Sequence, residues 1–586
     1  RRVLESPLAE TIGGSTVLHR RLTVQPGQQR LEATVLSGEA MKFSISGKSV
    51  AVEDGETQYA AWLQGGGGSA WRLTEGGDAL VLTIPKSDQV LNLNVAVARV
   101  EGGGSGFEAP ADRVLDLRER VTGGPERWKT THTMEGKLGV SQFQGYALDS
   151  VPVPLTNAYN AWMRTASLAF FDDGRLAVAS LSGDVWIASR IDEGLEQVTW
   201  KRFASGLYEP MGMKVVDGVL VAITRGRIMK LHDFNGDGEA DFYEAFFNED
   251  EPDRGWHAYS CDLVIGDDGS YFYARTGGFS DWSVPGGIVK VAADGQSSEL
   301  HGVGMRVPNG IGKLPDGRIT FGDNQGTYVP ASKISISRPG DFHGAGKWDQ
   351  REGDFDPEQI VQPIVYMPQE LDSSSGSQLW VEKDEQFGPL SGRLFHASFG
   401  RARTMYAMID EVDGVTQGAV FSIPMQMESG TLRAARNPKD GQIYYSGLTG
   451  WQAGGPKEGS IQRLRYTGDE GLYLLDAKAR EGRLELTFSE PINHEQVDLS
   501  KWQVESWNYR WGKQYGSPHL KPSQPDQQGT EIWSVGGFEF EDGGRRLVLS
   551  VPDLQPCHTL KLDFSVAAGE LVLDGPVFFT IYHLPK

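Results

Sequence analysis

Six short strings in this chain obey one rule: a glycine turn, usually Asp-Gly, opens directly onto an alternating apolar segment. They are "DDGRLAVAS" at 172, "VDGVLVAIT" at 216, "DDGSYFYAR" at 267, "PDGRITFGD" at 315, "LSGRLFHAS" at 390 and "KDGQIYYSG" at 439. The marker glycines Gly174, Gly218, Gly269, Gly317, Gly392 and Gly441 are spaced 44, 51, 48, 75 and 49 residues apart. A period in the forties to fifties with one tight turn per unit predicts one four-stranded sheet per repeat, hence a β-propeller, read here as six blades over 155–467. The 74 glycines among 586 residues agree with a turn-rich, all-β chain. The long fourth interval predicts an irregular insertion around 330–390 lying over one face.

The flanks follow a different pattern. Residues 1–125 show period-two segments such as "RLEATVLSG", "ALVLTIP" and "VLNLNVAVARV" between glycine runs, which predicts an N-terminal β-sandwich of jelly-roll type. Residues 126–154 read as an extended connector. From 468 to 586, "RLELTFSEPI", "RRLVLSVPDL" and "HTLKLDFSV" predict an immunoglobulin-like β-sandwich. Its aromatic loop offers Trp502, Trp507, Tyr509, Trp511 and Tyr515 as a sugar platform or as a packed junction.

Charge and cysteine content narrow the function. A formal net charge of -22 repels a nucleic-acid backbone. No apolar run approaches the roughly 18–20 residues that span a bilayer, so no transmembrane segment is expected, and the N-terminus lacks a signal-peptide core. Two cysteines, Cys261 and Cys557, supply neither a disulfide framework nor a haem attachment pair. Together with the glycine, tryptophan and acidic-loop content, this favours a periplasmic, secreted or cell-surface protein.

One loop carries a metal signature. In "LHDFNGDGEADFYEAF", Asp233, Asn235, Asp237, Asp241 and Glu244 occupy positions 1, 3, 5, 9 and 12, with Gly238 at the bend and Glu239 offering its main-chain carbonyl. Oxygen donors at that spacing suit calcium. A metal-free Asx turn is the alternative, and the flanking residues do not form the helices of an EF-hand pair.

A second group points to the propeller channel. His257 stands just before the inner strand of the third repeat, where a histidine is placed to take a proton from a hydroxyl. Arg306 and Asn309 stand at the same place one repeat later. Arg401 and Arg403 follow the fifth repeat, and Trp451 the sixth. Guanidinium groups there suit an anionic or quinone-like ligand, and the indole suits a sugar ring or a planar cofactor.

The run "RVPNGIGKLPDGRITFGDNQGTYVPASKISISRPGDFHGAG" resembles the corresponding region of the sorbosone/glucose dehydrogenase-like six-bladed propellers. "HAYSCDLVIGDDGSYFYARTGG" is similar to the family segment that carries the histidine base. "IMKLHDFNGDGEAD" together with "FGPLSGRLFHASFGRARTMY" resembles a bacterial branch of membrane-bound dehydrogenases, some with a cytochrome c module. The resemblance covers about 150–467. It implies pyrroloquinoline quinone held with calcium over the channel, and His257 as base on a sugar or polyol hydroxyl. It further implies Arg306, Asn309, Arg401 and Arg403 holding or polarising the cofactor, Arg306 serving beside His257 in catalysis as well; Trp451 is read with them as a stacking residue, and a separate cytochrome c is expected as electron acceptor. The sequence departs from the family in splitting Arg306 from Asn309 and in the residues that follow His257. The expectation is therefore an extracytoplasmic quinoprotein oxidoreductase. A carbohydrate-binding or polysaccharide-processing propeller, lyase or hydrolase, is the alternative.

Overall fold

The computed structural model describes residues 2–100, 109–249, 257–277, 286–346 and 357–586. The glycine run at 101–108 lies outside them. Strand accounts for 53% of the chain and helix for 3%, so the fold is all-β.

The six marker glycines share one local role. Each lies in the hairpin between the first and second strands of a sheet, and all six have φ between +70° and +87°. Glycine reaches that conformation without a Cβ clash, which is why the turn is legible as a residue type. The first sheet comprises Thr165–Phe170, Leu176–Ser180, Val185–Ser189 and Val198–Ala204. The second runs from Gly212–Val216 to Phe242–Asn248, and the third from Ser260–Ile265 to Ser298–Val303. The fourth runs from Gly310–Lys313 to Val365–Met367, and the fifth from Ser375–Val381 to Val415–Ser422. The sixth holds Gly430–Arg436, Ile443–Leu448 and Gly459–Tyr466. First strands of successive sheets touch in a closed circle, the sixth returning to the first. The arrangement is of β-propeller type.

Close approach of the inner strands is built into the sequence. A Cβ on Gly310 would lie 2.0 Å from the Gly376 carbonyl oxygen, and one on Gly376 would lie 2.6 Å from the Thr431 carbonyl oxygen. The obstructing atoms are backbone, so no rotamer change relieves the clash. Gly310→Ala is expected to destabilise the fold by about 1–3 kcal/mol through overpacking. A urea unfolding midpoint equal to that of the wild type would contradict this packing.

Two expectations need correction. The region 126–154 is more than a connector. Thr131–Met134 extends the outer edge of the first sheet, while Tyr146–Val151 pairs antiparallel with Gly459–Tyr466 and becomes the fourth strand of the sixth sheet. The ring is thus closed by residues from before its first sheet. The stretch 330–390 is also more regular than expected. Ser332–Ser337 and Val365–Met367 are the third and fourth strands of the fourth sheet, and Asp341–Phe342 pairs in parallel with the outer strand of the third.

The chain divides into two compact units, residues 1–125 and 126–586. In the first, a six-stranded and a three-stranded sheet face each other across a core that includes Leu22, Val52, Trp71, Leu82 and Val95. In the second, the fifth propeller sheet does not end at its outer strand. Val415–Ser422 pairs with Val577–Ile581, and the sheet continues through Cys557–Asp563, Gln503–Trp507 and Glu531–Trp533. A four-stranded sheet over Leu474–Arg480, Arg483–Phe488, Arg546–Ser550 and Gly537–Glu541 packs on it through Leu484, Leu547, Leu560 and Val577. The C-terminal region and the propeller therefore share one sheet and one core.

Candidate functional site

The alternation of antiparallel strands brings two kinds of loop to the same end of the ring: those leading into each first strand and those leaving each second strand. His257, Tyr259, Arg306, Ser373 and Ser374 come from the first kind, and Thr276, Asn324, Gln325, Phe399 and Trp451 from the second. They enclose a cleft of about 230 Å³, floored by Met211, Cys261 and Leu432. His257, Arg306, Asn309 and Trp451, drawn from three separate sheets' loops, meet there. Arg401 and Arg403 do not line it. Arg401 turns its Nε to the Gln369 carbonyl at 2.7 Å, and Arg403 opens the strand Arg403–Val412.

The polar groups of the cleft are held from behind. The main-chain N–H groups of Arg306 and Val307 donate to the buried Asp323 carboxylate at 3.1 and 2.8 Å, and Arg306 Nη1 donates to the Gln325 carbonyl at 3.2 Å. Gly326 leaves room for that side chain, since a Cβ there would lie 2.0 Å from Arg306 Nε. Asn309 Nδ2 donates to the Ser375 carbonyl at 2.9 Å, and its Oδ1 accepts from Arg433 Nη2 at 3.2 Å. Arg433 is fully buried and also donates to the Met211 and Leu432 carbonyls. Its guanidinium therefore sits directly behind the floor. The side-chain Oδ1 of Asn324 accepts from the Ser375 main-chain N–H at 2.6 Å.

His257 stacks edge-on against Tyr259, with ring centroids 5.4 Å apart, and its carbonyl accepts from Thr276 Oγ1 at 2.9 Å. Burial, and secondly the charge of Arg306, hold its imidazole below the ordinary value, so the neutral, proton-accepting form dominates near neutral pH. Burial pushes the Cys261 thiol up to about 11, which leaves it unreactive as a nucleophile. Trp451 adopts a left-handed backbone, φ 45°, and remains 45% exposed while its ring meets Tyr259 edge-on at 5.9 Å. It faces the cleft rather than packing between sheets.

Nothing in the local sequence places two further residues, Arg433 and Tyr515, at the cleft. Arg433 sits in "GTLRAARNPKD" and reads as an ordinary strand residue. Tyr515 reaches the cleft from the C-terminal region. It is 64% exposed, forms an antiparallel bridge with Thr327, and lies beneath the Arg306 guanidinium at 5.3 Å from ring centroid to carbon. The other aromatic residues of that loop do not form a sugar platform: Trp502, Trp507, Tyr509 and Trp511 are buried in the junction with the propeller.

The acidic loop lies between Arg227–His232 and Phe242–Asn248 of the second sheet. Asp233 accepts from the Gly236 and Gly238 main chains at 2.8 and 2.9 Å, Asp237 from Glu239 at 2.9 Å, and Asp241 from Phe234 at 2.8 Å. Asn235 Nδ2 donates to Asp237. Glu244 points instead to His232, with its carboxylate 2.8 Å from Nε2. The Glu239 carboxylate is buried and accepts from the main chains of Arg127 and Trp128, so this residue clamps the loop to the segment that precedes the ring. Among the described residues no three His, Cys, Asp or Glu side chains are arranged to hold a metal ion.

No family model matches the chain, and no curated protein matches its sequence. Solved structures do. The PQQ-bound form of an aldose sugar dehydrogenase from Streptomyces coelicolor is 13% identical, with a TM-score of 0.42 over 55% of this chain and 98% of that one. The apo form of the soluble aldose sugar dehydrogenase from Escherichia coli is 12% identical, with a TM-score of 0.42 over 55% of this chain and 99% of that one. An auxiliary nutrient binding protein from Bacteroides ovatus is 12% identical, with a TM-score of 0.33 over 73% of this chain and 98% of that one. At these identities and TM-scores the likenesses say nothing about what this chain binds.

Proposed function

We propose that the chain is a quinoprotein-type oxidoreductase acting on a sugar or polyol hydroxyl, with the cleft at the channel mouth as its active site. The observation that carries this reading is the convergence of His257, Arg306, Asn309 and Trp451 in one cleft. The lining suits a planar anionic quinone. Arg306, Asn309, Asn324 and Gln325 offer donors, Trp451 and Tyr515 offer ring faces, and no carboxylate stands among the described lining residues. At about 230 Å³ the cleft is smaller than the roughly 300–1,000 Å³ of drug-sized ligand sites, so it suits one ring system with the remainder at the mouth.

Pyrroloquinoline quinone, when bound, supplies the two-electron acceptor. Arg306 and the amides of Asn324 and Gln325 would hold its acidic groups, Asn309 being fixed for the same task by Arg433. The neutral imidazole of His257 accepts the proton of the substrate hydroxyl, and Tyr259 keeps that ring upright. Phe399 and Leu432 exclude water from the floor. The rival that keeps support is a carbohydrate-binding propeller, because Trp451 and Tyr515 present exposed ring faces.

The same proposal includes six propeller blades over 155–467, an N-terminal sandwich over 1–125, a segment 126–154 between them and an immunoglobulin-like sandwich over 468–586. It also includes calcium in the loop Asp233, Asn235, Asp237, Glu239, Asp241 and Glu244, a cytochrome c acceptor, and a periplasmic or secreted location in the membrane-bound dehydrogenase branch. No helix among the described residues is long and apolar enough to cross a membrane. The test is reconstitution with the quinone and calcium, followed by dye reduction on a panel of sugars and polyols. Sugar-dependent reduction is expected. Absence of both quinone binding and dye reduction would overturn the reading.

A further inference from the structure

An exposed tryptophan stands just outside the cleft and is held still. Trp162 is 54% exposed, yet its Nε1 donates to Glu458 Oε2 at 3.3 Å, and the Arg164 guanidinium lies 4.9 Å from its ring centroid. The same guanidinium lies 5.4 Å from the ring of Trp451, which lines the cleft, and its Nη2 donates to the Thr449 carbonyl at 3.1 Å. The two indoles therefore flank one arginine, and the row leads outward from the cleft. Trp162 leads into the first strand of the first sheet, and Trp451 and Glu458 belong to the loop between the second and third strands of the sixth. Both loops open on the same end of the ring as His257.

A large aromatic side chain in water is ordinarily mobile. Here a hydrogen bond at its edge and a cation on one side fix its orientation, while more than half of its surface stays open. A preorganised ring of this kind loses little further freedom when a ligand stacks on it. The apolar face of a pyranose fits the open indole, and the Arg164 donors with the Glu458 carboxylate fit the hydroxyl groups at its rim.

We propose that the row formed by Trp451, Arg164 and Trp162 is a second sugar subsite, so that the ligand of the cleft is an oligosaccharide whose terminal ring enters it and whose next ring lies on Trp162. The inference rests on the sugar-site reading given above. It makes chain length, rather than the identity of one monosaccharide, the main determinant of affinity.

A glycan array of mono- to hexasaccharides, probed with the full chain and with Trp162→Ala and Glu458→Gln, tests it without redox chemistry. Two-ring and longer glycans are expected to bind on the order of tenfold more tightly than the matching single sugars, which corresponds to about 1.4 kcal/mol. In Trp162→Ala that ratio should fall to about one, and in Glu458→Gln it should fall part of the way, with thermal unfolding of both variants unchanged. An array without oligosaccharide signal, a preference for free sugars, or an undiminished ratio in Trp162→Ala would overturn the subsite. Dye reduction, measured on the same preparations with the quinone added, separates the two readings. Length-dependent glycan binding without dye reduction counts against the quinone alone, whereas dye reduction with no effect of chain length counts against the subsite alone.

Discussion

Asp149→Ala is expected to lower the unfolding free energy of residues 126–586 by about 3–5 kcal/mol, the range for removing one partner of a buried ion pair. Asp149 lies on Tyr146–Val151, the strand that closes the ring, and is fully buried. Its Oδ2 accepts from Arg463 Nε and from Arg465 Nε, each at 2.7 Å, and its Oδ1 accepts from Arg465 Nη2 at 3.0 Å and the Gly139 main chain at 2.9 Å. Arg463 is as buried as its partner and spends its remaining donors on the Asp192 and Glu193 carbonyls. Without the carboxylate, two guanidinium groups lose their shared partner, and the buried one keeps only Asp440, 3.9 Å from its Nη1, as a counter-charge. The strand that joins the two ends of the ring then loses its anchor. Urea denaturation followed by tryptophan fluorescence measures the loss. A midpoint within experimental error of wild type would mean that ring closure does not depend on this triad.

His257→Asn is expected to reduce kcat/KM for the sugar or polyol by 10²–10⁴-fold, the usual contribution of a positioned general base. Asparagine keeps a polar side chain of similar reach but cannot accept the proton. The wild-type pH profile carries a second signature. Burial and then Arg306 hold the imidazole below its ordinary value, so the acid limb of kcat/KM, where protonation removes the base, falls below about pH 6.5. Arg306→Gln removes the cationic part of that shift, and the limb should move to higher pH even as the absolute rate drops. Steady-state rates between pH 4.5 and 8 read both effects. A limb unmoved in Arg306→Gln, or a His257→Asn enzyme with wild-type rate, would remove His257 from the proposed chemistry.

The parts of this molecule that could be read from sequence are those where local geometry demands a residue type. The turn at Gly174 and its five counterparts needs a left-handed backbone, and that requirement, repeated six times, exposes the position of each hairpin. His257, Arg306 and Asn309 each lie in a stretch that leads into a first strand, a short way ahead of such a turn, and the fold brings those stretches to one end of the channel. What escaped the reading depends on pairing between distant segments. "YALDSV" is buried on both faces, lacks the alternation of a half-exposed strand, and its partner lies more than three hundred residues away. Arg433 reaches Asn309 across the channel, and Tyr515 reaches Arg306 from another region of the chain, so neither contact leaves a local trace. Arg401 lies in the turn between Arg393–Ser398 and Arg403–Val412, and position in a turn does not determine side-chain direction: its guanidinium donates to the Gln369 carbonyl. In the acidic loop, spacing points first to calcium and only secondly to Asx turns, and it carries no sign of Glu244 turning towards His232 or of the Glu239 carboxylate turning towards Arg127.

The central claim, that the channel mouth holds a planar anionic quinone, is tested most directly by titrating the full chain with pyrroloquinoline quinone in the presence of calcium. Quenching of tryptophan fluorescence gives the readout, since Trp451 lines the cleft. Saturable binding at one quinone per chain, weakened at least about tenfold in Arg306→Ala, is the predicted result. No saturable binding, or equal binding by wild type and Arg306→Ala, would contradict it.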